Sequence, residues 1–445
     1  MSHFPKEFIW GAACASYQCE GAWNLDGKGL NIWDEFTHTP GHIANGDTGD
    51  IACDSYHRFR EDVALMKAHN ISAYRFSVSW ARVIPDGDGP VNEQGLRFYE
   101  ELVDELLANG IRPMVTLYHW DLPSALQNKG GWLNRDIVAA FGRYARIVAE
   151  RFGSRVDLYM TLNEPQCVAV LGYSSGEHAP GWKLSDEKVL LVYHHLELAH
   201  SEAYRQIKAV RKDAVVGVVT CGRQCYPRVD TPKGREAAYG ATFALDGRWL
   251  FTHNIFLDPI FFGKYDDSAP QVVRDFAASV PQGDWAAMEK PDFVGFNLYQ
   301  GEPVEEDGSY TPLTVGCRRT ALKWTVAPEA LHFAPVNLYR RYGKPVMVTE
   351  NGLSCNDFVY LDGQVHDPDR IDFLHRYLRE LSKALEEGVP VLGYLHWSLL
   401  DNFEWAQGYM ERFGLIYVDY PTGTRIPKDS ARWYAQVIAA NGANL

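Results

Sequence analysis

Apolar and polar positions alternate along this chain in a recurring rhythm. Short runs rich in apolar and β-branched residues lie near positions 8–14, 72–79, 111–118, 156–162, 214–221, 292–299, 345–350 and 391–397. Between most of them the apolar residues change to helical spacing. Ile137, Val138, Phe141, Tyr144, Ala145, Val148 and Phe152 share one helical face and stop at Gly153, and a second such stretch runs from Leu96 to Leu107 and stops at Asn109-Gly110. Glycine just past the last periodic residue is a helix stop. Strands alternating with helices predict a parallel sheet covered by helices. A count of eight suits a closed (β/α)8 TIM barrel, of the α/β class, better than an open doubly wound sheet. No GxGxxG follows the first run, so a dinucleotide-binding oxidoreductase is disfavoured. No linker, charge block or low-complexity tract divides the chain, and residues 1–445 read as a single barrel domain.

In such a barrel the C-terminal strand ends converge on one face, where the chemistry sits. The predicted ends are dense in polar and aromatic groups: Arg75 to Trp80, Tyr118-His119-Trp120-Asp121, Asn163-Glu164, Asn297-Leu298-Tyr299, Glu350-Asn351 and His396-Trp397. Two of them, TLNEP (161–165) and VTENG (348–352), carry a glutamate beside an asparagine. Strands four and seven are expected on opposite sides of the mouth, with their carboxylates facing each other. Opposed carboxyl groups are the minimum equipment for cleaving a glycosidic bond: one protonates the departing oxygen while the other attacks or positions water. A single glutamate at a strand end reads equally well as a helix cap or an arginine partner. Two of them, with Arg75, His119 and Trp397 at other ends, favour chemistry.

Composition narrows the partners. Aromatic residues reach 13%, including 13 Trp and 24 Tyr, which suits a sugar-lined pocket and also a large core. A net charge of −14 argues against nucleic acid and anionic membranes, since both demand clustered Lys and Arg. No apolar run approaches the ~20 residues of a membrane span. The start, MSHFPKEFIWGAACASY, lacks a basic leader followed by a long apolar core, so a cytoplasmic location is expected rather than secretion. The eight cysteines are scattered without a CxxC pair and read as free thiols. Cys221 and Cys225 have no companion His or Cys cluster in sequence, so neither a metal nor a cofactor is expected. The sequon Asn70-Ile71-Ser72 starts a predicted buried strand, which argues against glycosylation.

Seven stretches then carry a resemblance. FIWGAACASYQCEGAW (8–23), YRFSVSW (74–80), YHWDLP (118–123), TLNEP (161–165), GEHAPG (176–181), VTENG (348–352) and WSLLDNFEWAQGY (397–409) follow one another in the order of the signatures of the family 1 β-glycosidases. The chain resembles those β-glucosidases and β-galactosidases from end to end. The resemblance implies a retaining β-glycosidase that forms a covalent glycosyl-enzyme. It would release terminal β-D-glucosyl residues, and β-galactosyl or β-fucosyl residues as well, from oligosaccharides and aryl or alkyl glycosides. Implied partners are β-glucosides and cello-oligosaccharides, with no nucleic acid and no membrane; a homo-oligomer is left open.

By the same resemblance, Glu164 is the acid/base and Glu350 the nucleophile, supported by Arg75, Asn297 and Tyr299. Gln18, His119, Asn163, Glu404 and Trp405 would hold the sugar hydroxyls, with Trp120 among the substrate-binding residues. Trp397 would lie under the ring, and Trp324 would face the leaving group. Arg75 should keep Glu350 ionised, and that charge should raise the pKa of Glu164. A carboxylate at Glu404 would repel phosphate, where the related 6-phospho-β-glycosidases have serine. Gln166, where many relatives carry Trp, and its neighbour Cys167 are expected to face the leaving group, as is the FNLYQ ending of strand six. The competing readings are an inactive sugar-binding barrel and a 6-phospho-β-glycosidase.

Overall fold

The computed structural model describes residues 4–445. Eight parallel strands close into a barrel: β1 (Ile9–Ala13), β2 (Ala73–Ser77), β3 (Arg112–Tyr118), β4 (Leu158–Asn163), β5 (Val215–Thr220), β6 (Phe293–Asn297), β7 (Val346–Asn351) and β8 (Val391–Trp397). They stand around the ring in chain order, and β1 pairs with both β2 and β8. Each predicted apolar run became one strand. Because β5 and β6 separate them, β4 and β7 are three places apart rather than opposite, so their side chains converge obliquely across the mouth.

Helices cover the ring. The helix Ile137–Phe152 buries Ile137, Phe141, Tyr144, Ala145, Val148 and Phe152 and ends on Gly153 at φ +55. It packs along the helix Asp186–Val210. The helix Glu93–Ala108 buries Leu96, Leu102 and Leu106, whereas Leu107 is exposed. Asn70 and Ser72 are also exposed and precede β2, so the buried strand start expected for the sequon is not found. Among the described residues no helix is long and apolar enough to cross a membrane, and all eight cysteines are free.

The interior of the barrel is plugged by Ala73, Met114, Leu158, Met160, Val219, Phe293, Met347 and Leu395. A larger apolar cluster fills the space between strands and helices. Above the plug, the outward/inward alternation of two strands changes phase. On β4, Met160 pairs with Gly217 but Asn163 with Val219, so the strand holds one extra residue. The Thr161 hydroxyl meets His200 Nδ1 at 2.7 Å on the helix side, and Leu162 joins the outer cluster. Asn163 is thereby turned toward the mouth. On β7, Val348 pairs with Phe296 and Glu350 with Asn297, which leaves Thr349 as the extra residue. Bulges of this kind re-aim side chains at barrel rims.

Candidate active site

Arg75 rises from β2 into the mouth, 1% exposed. Its Nε donates to Thr116 Oγ1 at 3.0 Å, its Nη2 to Asn163 Oδ1 at 2.6 Å and its Nη1 to Glu350 Oε1 at 2.6 Å. The other oxygen of Glu350 accepts from the Tyr299 hydroxyl at 2.7 Å. Glu164 is differently placed: its Oε1 accepts from the neutral amide of Asn297 at 2.8 Å. That amide also donates to Asn163 Oδ1 at 3.1 Å, and Thr349 Oγ1 donates to Asn297 Oδ1 at 2.7 Å. One chain of bonds, Glu164–Asn297–Asn163–Arg75–Glu350, therefore ties the two carboxyl groups to each other.

Their charges follow from these partners. Burial pushes the Glu164 carboxyl up, the charge of Glu350 adds to it, and the pKa reaches about 7. The charge of Glu350 acts in the direction expected from sequence, with burial as the larger cause. Burial raises Glu350 as well, while Arg75, Tyr299 and Asn297 pull it down. An ion pair at 2.6 Å is a strong, charge-assisted contact. Glu350 also stays above its ordinary range on balance, but its bonded guanidinium favours the arrangement in which Glu164, with no cation bonded to it, carries the pair's proton.

The two carboxyls open into a cavity of about 500 Å³ lined by Trp120, His119, Trp397 and Trp405 on one flank and by Trp324, Tyr299 and Phe413 on another. Its lining includes Glu164, Glu177, Glu350 and Glu404 but no lysine or arginine. His119, stacked on Trp397 at 5.7 Å and on Trp405 at 5.9 Å, is held well below the usual histidine range by burial and by Arg75. Burial also pushes His178 down to about 3, so neither ring brings a positive charge. Glu404 is pushed up to about 8 by burial and by Glu350, Glu411 and Glu164. Near pH 7 these causes favour its neutral form.

Two buried acceptor or donor atoms, Gln18 Oε1 and His119 Nδ1, have no partner within the protein. Leaving such an atom unsatisfied costs about 1–3 kcal/mol, and a hydroxyl-rich ligand would satisfy both. Gln18 Nε2 is anchored on Phe403 O at 2.8 Å, Asn402 Oδ1 at 3.2 Å and Glu404 Oε2 at 3.5 Å. Asn163 Nδ2 meets His119 Nε2 at 3.1 Å, and Trp120 Nε1 donates to Asn163 O at 2.9 Å. Glu164, Trp120 and Trp405 all have left-handed backbones, at φ +47, +79 and +49. Non-glycine residues rarely occupy that region except where surrounding structure holds them, often at functional sites.

The residues singled out from sequence thus come together around one cavity. Gln18, Arg75 and Asn163 stand behind its lining rather than in it, fully buried. Gln166 does not face the leaving-group side: its Nε2 donates to Thr220 Oγ1 at 2.8 Å and to Thr252 O at 3.1 Å. Cys167 does line the cavity, as do Leu298, Tyr299 and Gln300 of the FNLYQ ending. Sequence reasoning gave no role to His178, whose ring lies 5.5 Å from Trp120, nor to Phe413 or Cys221. GEHAPG was the only signal for His178; Cys221 closes the apolar run that became β5, and Phe413 sits on an irregular segment with no periodicity to mark it.

The family model for Glycosyl hydrolase family 1 matches residues 1–443. The chain is 42% identical over 453 aligned positions to 1,4-beta-D-glucan glucohydrolase of Thermotoga neapolitana, with 99% of each chain covered. It is 41% identical to a bifunctional beta-D-glucosidase/beta-D-fucosidase of Bifidobacterium breve, again over 99% of each. The solved structure of beta-glucosidase from Thermotoga maritima in complex with glucoimidazole superposes with a TM-score of 0.89 at 43% identity, covering 99% of this chain and 100% of that one.

Proposed function

Because the chain belongs to glycosyl hydrolase family 1, we propose that its β-glucosidase chemistry runs through Glu350 as nucleophile and Glu164 as acid and base. The enzyme is a retaining β-glucosidase. Retention requires two displacements. In the first, a Glu350 oxygen attacks the anomeric carbon, the glycosidic C–O bond breaks, and Glu164 gives its proton to the departing oxygen. Glucose is left as an ester of Glu350. That esterification removes the negative charge that helps to hold the Glu164 pKa up, so the now ionised Glu164 accepts a proton more weakly held than before and serves as base. It takes a proton from water as the water attacks the same carbon, and β-glucose departs with Glu350 regenerated.

The observation that carries these roles is the asymmetry of the pair. Glu350 is bonded to a guanidinium at 2.6 Å and a phenol at 2.7 Å, whereas Glu164 is bonded to an amide at 2.8 Å and has a pKa of about 7. Gln18, His119, Trp120, Asn163, Trp397, Glu404 and Trp405 would hold the non-reducing sugar, and Trp324 would meet the leaving group. A cavity lined without lysine or arginine favours a neutral sugar over a phosphorylated one. Substrates would include cello-oligosaccharides and β-fucosides, a reading supported by the names of the Thermotoga neapolitana and Bifidobacterium breve relatives.

Proton NMR of nitrophenyl β-D-glucoside hydrolysis tests the double displacement. β-Glucose is expected before mutarotation begins. α-Glucose appearing first would mean a single displacement by water and would overturn both role assignments.

A further inference from the structure

Glu164 does not meet the cavity alone. Cys167 lies three residues further along the turn that follows β4, and Cys221 is the first residue beyond β5; both line the same cavity. Their sulfurs are 3.7 Å apart. One Glu164 oxygen and the two sulfurs all lie within 4.8 Å of one another. Two sulfurs bound to one tetrahedral ion at ~2.3 Å stand about 3.8 Å apart. The separation found here is already that of two ligands on one ion, whereas a disulfide at about 2.0 Å would need the sulfurs to move together.

Gln166 keeps the pair in this arrangement. It is fully buried, its amide nitrogen is bonded to Thr220 and Thr252, and its Oε1 accepts from the Cys221 backbone N–H at 3.3 Å. The turn after β4 is thereby locked to the end of β5. Glu350 and Glu404 face the same space, and no lysine or arginine lines it to oppose a cation.

We propose that Glu164, Cys167 and Cys221 form a site for one thiophilic divalent cation, of the zinc or cadmium class, whose occupancy shuts off hydrolysis. Three protein ligands leave a fourth tetrahedral position facing the cavity. Binding expels the two thiol protons, and the proton of Glu164 where it holds one, to solvent; two thiolates and one carboxylate remain on the ion. Without metal both sulfurs are neutral: the hydrogen bond to Cys221 and burial hold the Cys167 thiol well above its ordinary range, and burial raises that of Cys221. The pair is therefore a poor nucleophile and a waiting ligand set. Loss of activity follows because the Glu164 oxygen would be engaged with the ion. That consequence rests on the acid/base reading of Glu164; the binding does not.

The experiment is a cadmium chloride titration of the full-length enzyme in thiol-free buffer. It follows the ultraviolet charge-transfer band of cadmium–thiolate bonds and, in parallel, glucose release from an alkyl β-glucoside, whose leaving group needs the Glu164 proton. Wild type, Cys167→Ser and Cys221→Ser are compared, each relative to its own metal-free rate. One cadmium per chain is expected, with band and inhibition rising together and both reversed by EDTA. Each serine variant should need on the order of 100-fold more cadmium for the same inhibition, as loss of a coordinating group typically weakens a site at least as much as loss of an outer-shell partner. An unchanged midpoint in both variants would place the metal on other cysteines and overturn the site. A band that depends on both cysteines but leaves hydrolysis intact would keep the cation site and overturn the inhibition, and with it the role of Glu164.

Discussion

Glu164 can give a proton only while it holds one, and a pKa of about 7 places that condition inside the working range. The sign follows directly. Below pH 7 the acid form dominates; as pH rises through about 7 the proton is lost and kcat/KM should fall. On the proposed roles the acid limb would belong to Glu350, which would have to be ionised to attack. Since kcat/KM reports the free enzyme, its alkaline limb should centre near the Glu164 value. In Glu164→Ala that limb should vanish for a nitrophenyl glucoside, whose leaving group needs little protonation, while alkyl glucosides lose several orders of magnitude in rate. An alkaline limb retained in the variant would assign it to another group. Glu404 gives a second residue-scale test. Its carboxyl is pushed up to about 8, which favours the neutral form at pH 7 in the free enzyme. Two sugar hydroxyls donating to it would favour the charged form, so glucose binding should release up to about one proton. Calorimetry in two buffers of different ionisation heat measures this, and net proton uptake would sink the idea.

At the scale of elements, the site depends on strands that change phase at their ends. In LYMTLN a strict alternation places Leu158, Met160 and Leu162 on one face and turns Asn163 away from them. The extra residue in β4 reverses this, and the extra Thr349 in β7 does the same for Glu350. These bulges were not legible, because one additional residue changes neither composition nor the apolar run that announces the strand. The strands themselves, the closed ring and the polar ends were legible, since eight apolar runs alternating with helical faces leave few other arrangements. Motif glycines were legible as letters but not as geometry. Gly352, in VTENG, is such a case: a Cβ there would lie 1.9 Å from the Trp397 carbonyl oxygen, where β7 and β8 end side by side. Gly352→Ala must push either Glu350 or Trp397 out of place. Overpacking against backbone costs about 1–3 kcal/mol, and a shift of about 1 Å at a reacting group can cost about 100-fold in rate. The expected result is a lower Tm with a disproportionate drop in kcat. A variant with wild-type kcat would show that the β7–β8 contact does not position the nucleophile.

The whole molecule carries a net charge of −14, and the cavity offers no free cation to a further anion. Glu164, Glu177, Glu350 and Glu404 line it, and the nearest guanidinium, Arg75, is already committed to Glu350 and Asn163. His119 and His178 are neutral by burial. A phosphoryl group on the sugar would enter a pocket with no cation to receive it, and like charges brought together cost several kcal/mol. Since 1.4 kcal/mol is a factor of ten, nitrophenyl β-glucoside should exceed its 6-phospho derivative in kcat/KM by about 100-fold or more. Ionic strength separates the two contributions to that ratio. The field outside the cavity is screened over about 8 Å at physiological salt, so raising the salt should recover some of the rate for the anionic substrate and leave the neutral one nearly unchanged. The part that persists at high salt belongs to the dry lining, where screening is weak. If both substrates were turned over alike at every ionic strength, a cation must swing into the cavity during catalysis, and the neutral-sugar reading would fall.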